Sequence, residues 1–312
     1  MRPAYSVILL TTLIGASQGL FLAIFGADLA GRIGLGPRPE AAFLAAGAGV
    51  SIALLVAGVI ASVFHLGRPE RGWRAFSRWR TSWLSRELIV LPAFGAAAFA
   101  WGTAQLLRID PPLALGVTAA LLALALYLCT GMIYACLPFL REWHSPLTVL
   151  NYLVLGVASG TTLAAALAAA LAPAIAPAFA GWALAFTAAG FASRGASLLR
   201  NAGLAPRSTP ATAIGVDHPR VVQVTRGFTA RAFNTHEFFH GRPAGVVQAV
   251  KWVFLLLAFV APALVLAASL PSPATGACAF AFAVQMAGLM AERWHFFADA
   301  SHPQNIYYRA VA

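Results

Sequence analysis

Eight apolar stretches alternate with polar segments along the chain, at about residues 6–29, 41–65, 87–107, 113–136, 147–171, 174–193, 250–270 and 274–292. Each is close to the roughly 20 residues an α-helix needs to cross the hydrocarbon core of a bilayer. Turns containing Pro173 and Pro177, and Pro271 and Pro273, join runs five to six and seven to eight so tightly that helical hairpins are expected there. The pattern predicts an all-α, polytopic membrane protein with eight transmembrane helices, forming one membrane domain over residues 1–312. Its longest polar segment is about 194–249. The first run is too long for the apolar region of a secretory signal, and no small-residue cleavage site follows it.

A weak echo links runs one and five. Gly15-Ala16-Ser17-Gln18-Gly19 resembles Gly156-Val157-Ala158-Ser159-Gly160. Small residues four apart let helix backbones approach closely. The echo is read either as a four-plus-four parallel repeat or as glycines used simply for packing.

Composition agrees with the pattern: 60% of the 312 residues are hydrophobic, 10% are charged, and the mean hydropathy is +0.77. A soluble domain carries about a quarter charged residues. The formal net charge of +11 does not point to nucleic acid, because the charges sit in segments between apolar runs. They set the orientation instead. Eighteen of the 21 lysines and arginines fall on the side of the two termini, and only Arg32, Arg38 and Arg108 fall on the other. The excess of positive charge on one side places both termini, and the loop at 194–249, in the cytoplasm.

The segment His65 to Glu87 breaks the apolar pattern most sharply. A His ends one run, a Glu opens the next, and six arginines and three tryptophans lie between them. From Pro69 onward, Arg71, Arg74 and Arg78 recur at helical spacing, with Phe76, Trp79 and Trp83 on the other face. That spacing predicts an amphipathic helix lying in the membrane interface, aromatics down and arginines up. The arginines could simply hold the loop inside and attract anionic lipid, or the same face could also receive an acidic partner.

His65 and Glu87 pose a separate question. A quinone must meet protein polar groups while its tail stays in lipid, and its two-electron step moves two protons. Histidine can hydrogen-bond a quinone oxygen and titrates near neutral pH, and a carboxylate at a low-dielectric rim can pass protons. A snorkelling or helix-capping pair fits the spacing equally well. For the other polar groups within spans, Gln18, Gln105, Asn151 and Gln285, hydrogen bonding between helices is expected. Asp28, near the end of span one away from the termini, is expected at the surface.

Cofactors are constrained by the ligands available. Bis-histidine haem needs paired histidines inside spans. Only His65 ends an early run, and His144, His218, His236, His240, His295 and His302 are expected in loops or tails. Cys129, Cys136 and Cys278 are too few for an iron–sulfur cluster, which typically takes four thiolates, and are expected to be buried small hydrophobes. No haem or metal is therefore expected in this chain.

Several segments carry a family resemblance. His65-Leu66-Gly67-Arg68-Pro69 with Arg71, and Trp83-Leu84-Ser85-Arg86-Glu87, resemble the membrane anchor subunit of dimethyl sulfoxide reductase-type molybdoenzymes. So do Pro3-Ala4-Tyr5-Ser6-Val7, Glu292 to Ala300, and Asn305-Ile306-Tyr307-Tyr308. The wording of these segments is most similar to the anchors of sulfite dehydrogenases that face the cytoplasm.

The resemblance implies an eight-helix, haem-free subunit of the bacterial inner membrane. It would hold a four-cluster ferredoxin-like iron–sulfur subunit and a molybdopterin catalytic subunit at the bilayer. His65 and Glu87, with Arg71, would form the site for menaquinone or ubiquinone. Arg74, Arg78, Arg80 and Arg86 would face the partner, and Arg226, Arg231 and His236 in the long loop would form a second docking surface. Quinone reduction during sulfite oxidation is the favoured direction, and quinol oxidation by a dimethyl sulfoxide reductase is the alternative. A purely structural anchor and a secondary transporter are the competing classes. A transporter would need broken helices with polar groups near the midplane, whereas the ionisable groups here gather at one rim.

Overall fold

In a computed structural model, residues 4–64, 69–205, 212, 214–216, 218 and 244–300 are described, and they are helical with no strand among them. Among the described residues, eight helices are long and apolar enough to cross a membrane. They are α1 (Tyr5–Arg32), α2 (Ala41–Val63), α3 (Trp83–Leu106), α4 (Leu113–Ala135), α5 (Pro146–Leu171) and α6 (Ala176–Ala202), followed by two more. Span seven, α7, runs Ala244–Leu255, passes through a π-helical turn at Leu256–Val260 and finishes at Ala261–Ser269; α8 is Thr275–Asp299. Short connections return the chain between most successive spans. The helix ends on the side of Tyr5 and Asp299 are called the terminal face below.

Local chemistry sets several helix boundaries. Ser82 caps α3 by accepting from the Ser85 amide at 3.4 Å, and Ser145 caps α5 by accepting from the Leu147 amide at 3.2 Å, with Pro146 in the first turn. Pro262 explains the turn in α7. It has no N–H to offer the Ala258 carbonyl four residues back. Gln285 of α8 supplies the missing donor, its Nε2 reaching Ala258 O at 3.3 Å and Thr187 Oγ1 at 3.1 Å.

The two similar glycine motifs meet in space. A Cβ added at Gly19 would lie 2.1 Å from the Gly156 carbonyl oxygen, and one at Gly160 would lie 2.1 Å from the Gly19 backbone. Helices α1 and α5 therefore cross backbone to backbone, as small-residue motifs allow. Around this crossing, Phe21 packs edge to face on Phe94 and Trp101, with centroids 5.6 and 5.4 Å apart. Ser17 Oγ donates to the Ser51 carbonyl at 2.7 Å and ties α1 to α2.

Four expectations need correction. The sixth and eighth helices do not stop at 193 and 292 but continue to Ala202 and Asp299. His295 is consequently not in a tail: it is 2% exposed inside α8. Cys136 is exposed, whereas Cys129 and Cys278 are buried as expected. Asp28 is not at the surface but fully buried, because the loop after α1 folds back over that helix end, where Gly31 lets the Arg38 backbone approach closely.

Asp28 accepts from Arg32 Nε at 2.9 Å and Arg38 Nε at 2.8 Å, and both arginines continue to Asp110. Arg38 beside Asp110 holds that exposed carboxyl below its usual range. A carboxylate with a depressed folded-state pKa stabilises the fold above its ordinary value, near pH 4, and loses that contribution as pH falls through the folded value. The clamp over residues 33–40 is therefore expected to hold at neutral pH and loosen as pH drops below about 4. Amide hydrogen exchange in that loop measures this; equal protection at about pH 6 and about pH 3, after correction for intrinsic rates, would contradict it.

Candidate functional site

Glu87 lies in the second turn of α3, just past the Ser82 cap, at the terminal face. It is only 9% exposed. The cap turns the helix so that Ser85 and Glu87 point into the bundle while Leu84 and Ile89 face outward. Thr130 of α4 donates its hydroxyl to Glu87 Oε1 at 2.5 Å. That bond leaves Oε2 as the oxygen available for a proton.

Glu87 borders a narrow cavity lined by Leu10, Thr11, Ile14, Gln18, Tyr127 and Tyr152 among others. It is wide enough for water but not for a quinone ring. Gln18 Oε1 is buried there without a hydrogen-bond partner among the described residues, whereas the Tyr152 hydroxyl lies within reach of Tyr134 and Arg293. Buried polar atoms without partners are costly, so the cavity suits a water or the polar end of a ligand. The Tyr127 hydroxyl is occupied, donating to the Gly15 carbonyl at 2.6 Å.

The sequence grouped His65, Arg71 and Glu87, and they fall differently here. His65 lies outside the described residues. Arg71 is exposed on a 3-10 helix, Pro69–Arg78, 3.9 Å from Glu70. No hydrogen bond or ion pair joins it to Glu87 among the described residues. The segment is amphipathic, but its winding is tighter than the expected α-helix. With three residues per turn, Trp73, Phe76 and Trp79 align as one exposed ridge. Guanidinium groups stack on the aromatic residues before them, Arg74 on Trp73 at 5.6 Å and Arg80 on Trp79 at 5.3 Å.

Of the docking residues, Arg74, Arg78 and Arg80 are exposed. Arg86 is engaged internally: it donates to the Trp79 and Arg80 carbonyls at 2.9 and 2.8 Å and stacks on Trp83 at 4.2 Å, which fastens the loop to α3. Arg226, Arg231 and His236 lie outside the described residues.

A second cluster went unrecognised in the sequence. Arg194 of α6 pairs with Glu292 of α8 at 2.7 Å, and Arg293 reaches the other carboxylate oxygen at 3.3 Å. The Arg293 guanidinium covers the Tyr152 ring at 3.8 Å. All three charged residues are at most 4% exposed. Asn151 is hydrogen-bonded to Ser193 and Ser197 at 2.8 and 2.7 Å beside them, which does match the expected bonding between helices. Tyr152 touches both groups, since it lines the Glu87 cavity while its ring lies under Arg293.

In the sequence Arg194 and Arg293 look like loop charges because each follows the last residue of an apolar run. The usable signal is the absence of any Gly or Pro between Glu292 and Asp299. Among the described residues, no group of three His, Cys, Asp or Glu is placed to hold a metal ion.

The chain matches the family model of the DMSO reductase anchor subunit over residues 1–298. It is 49% identical over 325 aligned positions to a subunit of the sulfite dehydrogenase of Allochromatium vinosum, and the match covers the whole of both chains. It is 32% identical over 116 positions to the anaerobic dimethyl sulfoxide reductase chain YnfH of Escherichia coli, covering 36% of this chain and 40% of that one.

Proposed function

Because this chain belongs to the family of dimethyl sulfoxide reductase anchor subunits, we propose that it is the quinone-reactive anchor of a three-subunit molybdopterin oxidoreductase. In this reading it passes electrons from an iron–sulfur subunit to membrane quinone, menaquinone or ubiquinone, during sulfite oxidation. The full-length similarity to a sulfite dehydrogenase subunit favours that direction. The shorter similarity to a dimethyl sulfoxide reductase chain supports quinol oxidation as the second reading.

The observation that carries the proposal is Glu87: a buried carboxylate, fixed by Thr130, beside a cavity where Gln18 Oε1 lacks a partner among the described residues. A charge is rarely left at the rim of a membrane span without a task. Quinone supplies a two-electron, two-proton couple when bound. Glu87 holds a proton at Oε2 while Thr130 fixes Oε1, and the unpartnered Gln18 Oε1 lines the same cavity. His65, which follows α2 in the sequence, hydrogen-bonds a quinone oxygen, and Arg71 on the 3-10 helix adds a cation.

The terminal face then lies in the cytoplasm of a bacterial inner membrane. Arg74, Arg78 and Arg80 meet the ferredoxin-like subunit, with Arg226, Arg231 and His236 adding a second contact and Arg86 holding the loop in shape. The molybdopterin subunit sits beyond. The redox metals and clusters belong to those partners, with no haem in this chain.

Binding of a fluorescent quinone analogue to the purified complex tests the reading. Saturable quenching, reversed by excess quinone and weakened by Glu87→Gln, is expected. Absence of any saturable binding would leave a structural anchor.

A further inference from the structure

At the end of the bundle opposite the terminal face, a cavity of about 460 Å³ lies between the start of α2 and the end of α3. We propose that it binds the phosphoethanolamine headgroup of a membrane phospholipid, with Arg108, Gln105 and the first turn of α2 on the phosphate and Glu40 on the ammonium. Four lining residues are charged: Arg38, Glu40, Arg108 and Asp110. Arg38 and Asp110 belong to the clamp on Asp28, in which two arginines and two aspartates balance. One cation, Arg108, and one anion, Glu40, are left over. Among the described residues neither makes an ion pair, with the other or with any third group. Two opposite charges that share a cavity without meeting suit a ligand that carries one charge of each sign.

The wall beside Arg108 supplies further donors. Gln105 is 4% exposed and lines the cavity, and its Nε2 has no hydrogen-bond partner among the described residues, so the bonding between helices expected of it does not form. A buried donor left unpaired is costly, and a phosphate oxygen relieves it. Ala41 and Ala42 open α2 onto the cavity, and Glu40 before them makes no side-chain cap. Amides in a helix's first turn have no acceptor within the helix, and with the helix dipole they favour an anion. Arg108 itself has a φ of 56°, the left-handed region that favours glycine. It closes α3 as glycine commonly does, its N–H bonding the Gln105 carbonyl at 3.0 Å and the Ile109 N–H bonding the Ala104 carbonyl at 2.9 Å. An arginine there costs backbone energy and places a guanidinium at the cavity.

Position selects a lipid over a soluble anion. Leu106, Leu107 and Ile109 flank Arg108 and are exposed, at the end of a helix long and apolar enough to cross a membrane. Ile109 also lines the cavity. Acyl chains can run down over these side chains while the headgroup stays at the boundary with water. Glu40 then selects among lipids. A headgroup with a net negative charge and no ammonium fills the phosphate side but leaves the Glu40 carboxylate facing it without a cation.

Arg108→Gly is suited to the test, because glycine accepts the backbone conformation at this position while the guanidinium is lost. Native mass spectrometry of the full chain in detergent, titrated with dioleoylphosphatidylethanolamine, dioleoylphosphatidylglycerol or inorganic phosphate, reads the first molecule bound. The parent is expected to take up the ethanolamine lipid more tightly than the glycerol lipid, and to keep it in excess phosphate. Arg108→Gly is expected to weaken that binding about tenfold, the scale of one charge-assisted hydrogen bond, with no fall in the thermal midpoint of the lipid-free protein. Glu40→Gln is expected to bring the two lipids to similar affinity. Unchanged binding in Arg108→Gly, or a parent that takes up both lipids equally, would overturn the assignment. Displacement of the lipid by inorganic phosphate would overturn it in favour of a site for a soluble anion.

Discussion

Replacing Glu87 by glutamine is expected to slow quinone turnover by the assembled complex about a hundredfold, within the range that a positioned proton-transfer group contributes. The substitution keeps the side chain's shape and its bond to the Thr130 hydroxyl, at Oε1, so the fold and the partner subunits should be retained. It removes the oxygen that can carry a proton. Electron delivery from the partner to an artificial acceptor should remain near the parent rate, which separates a proton defect from a failure of assembly. Thr130→Val should produce a smaller loss, about tenfold, because the carboxylate stays but loses the bond that fixes it. Parental quinone turnover in purified Glu87→Gln complex would remove Glu87 from the proposed chemistry.

The largest expected effect on stability lies in the neighbouring cluster. Glu292→Gln leaves Arg194 and Arg293 buried without the charge that now opposes them. Removing one member of a buried charged group costs about 3–5 kcal/mol. The cost should appear as a lowered midpoint of thermal unfolding and a smaller fraction of intact protein recovered from membranes. The companion experiment replaces the group as a whole, Arg194→Met, Glu292→Leu and Arg293→Met together. Well-packed apolar side chains of similar volume avoid the desolvation that the ions bear, so most of the stability should return. A Glu292→Gln protein as stable as its parent would show that the carboxylate does not balance these arginines. Since Arg293 also covers Tyr152, a residue of the Glu87 cavity, a triple variant that folds yet turns over quinone slowly would tie the two clusters together.

The candidate site was legible in part. Glu87 stood out because a carboxylate opening an apolar run is rare in any membrane segment. Its buried orientation and its bond to Thr130 were not legible, since Thr130 is 43 residues away and chemically ordinary in an apolar run. Arg86 shares the charge and the segment of its docking neighbours, yet it is engaged by the Trp79 and Arg80 carbonyls. Asp28 differs from its expected place for the converse reason. Counting residues from the start of span one placed it near an end, where carboxylates are usually hydrated, but a returning loop covers it with two arginines.

The number of spans, the hairpin pairings and the chemical oddity of residues 65–87 can all be read from the order of residues. They follow from local quantities: a backbone in hydrocarbon must satisfy its own hydrogen bonds, so any sufficiently long apolar run becomes a helix. The two glycine motifs mark faces fit for close packing, but that α1 and α5 meet there is decided by the tertiary structure. Where the charges end up is a different matter, settled only once the helices pack. A helix extends past its apolar run when a partner from another helix neutralises the next charge, as Glu292 does for Arg194 of α6. That balance between desolvation and pairing joins residues far apart in the chain, and no local pattern records it.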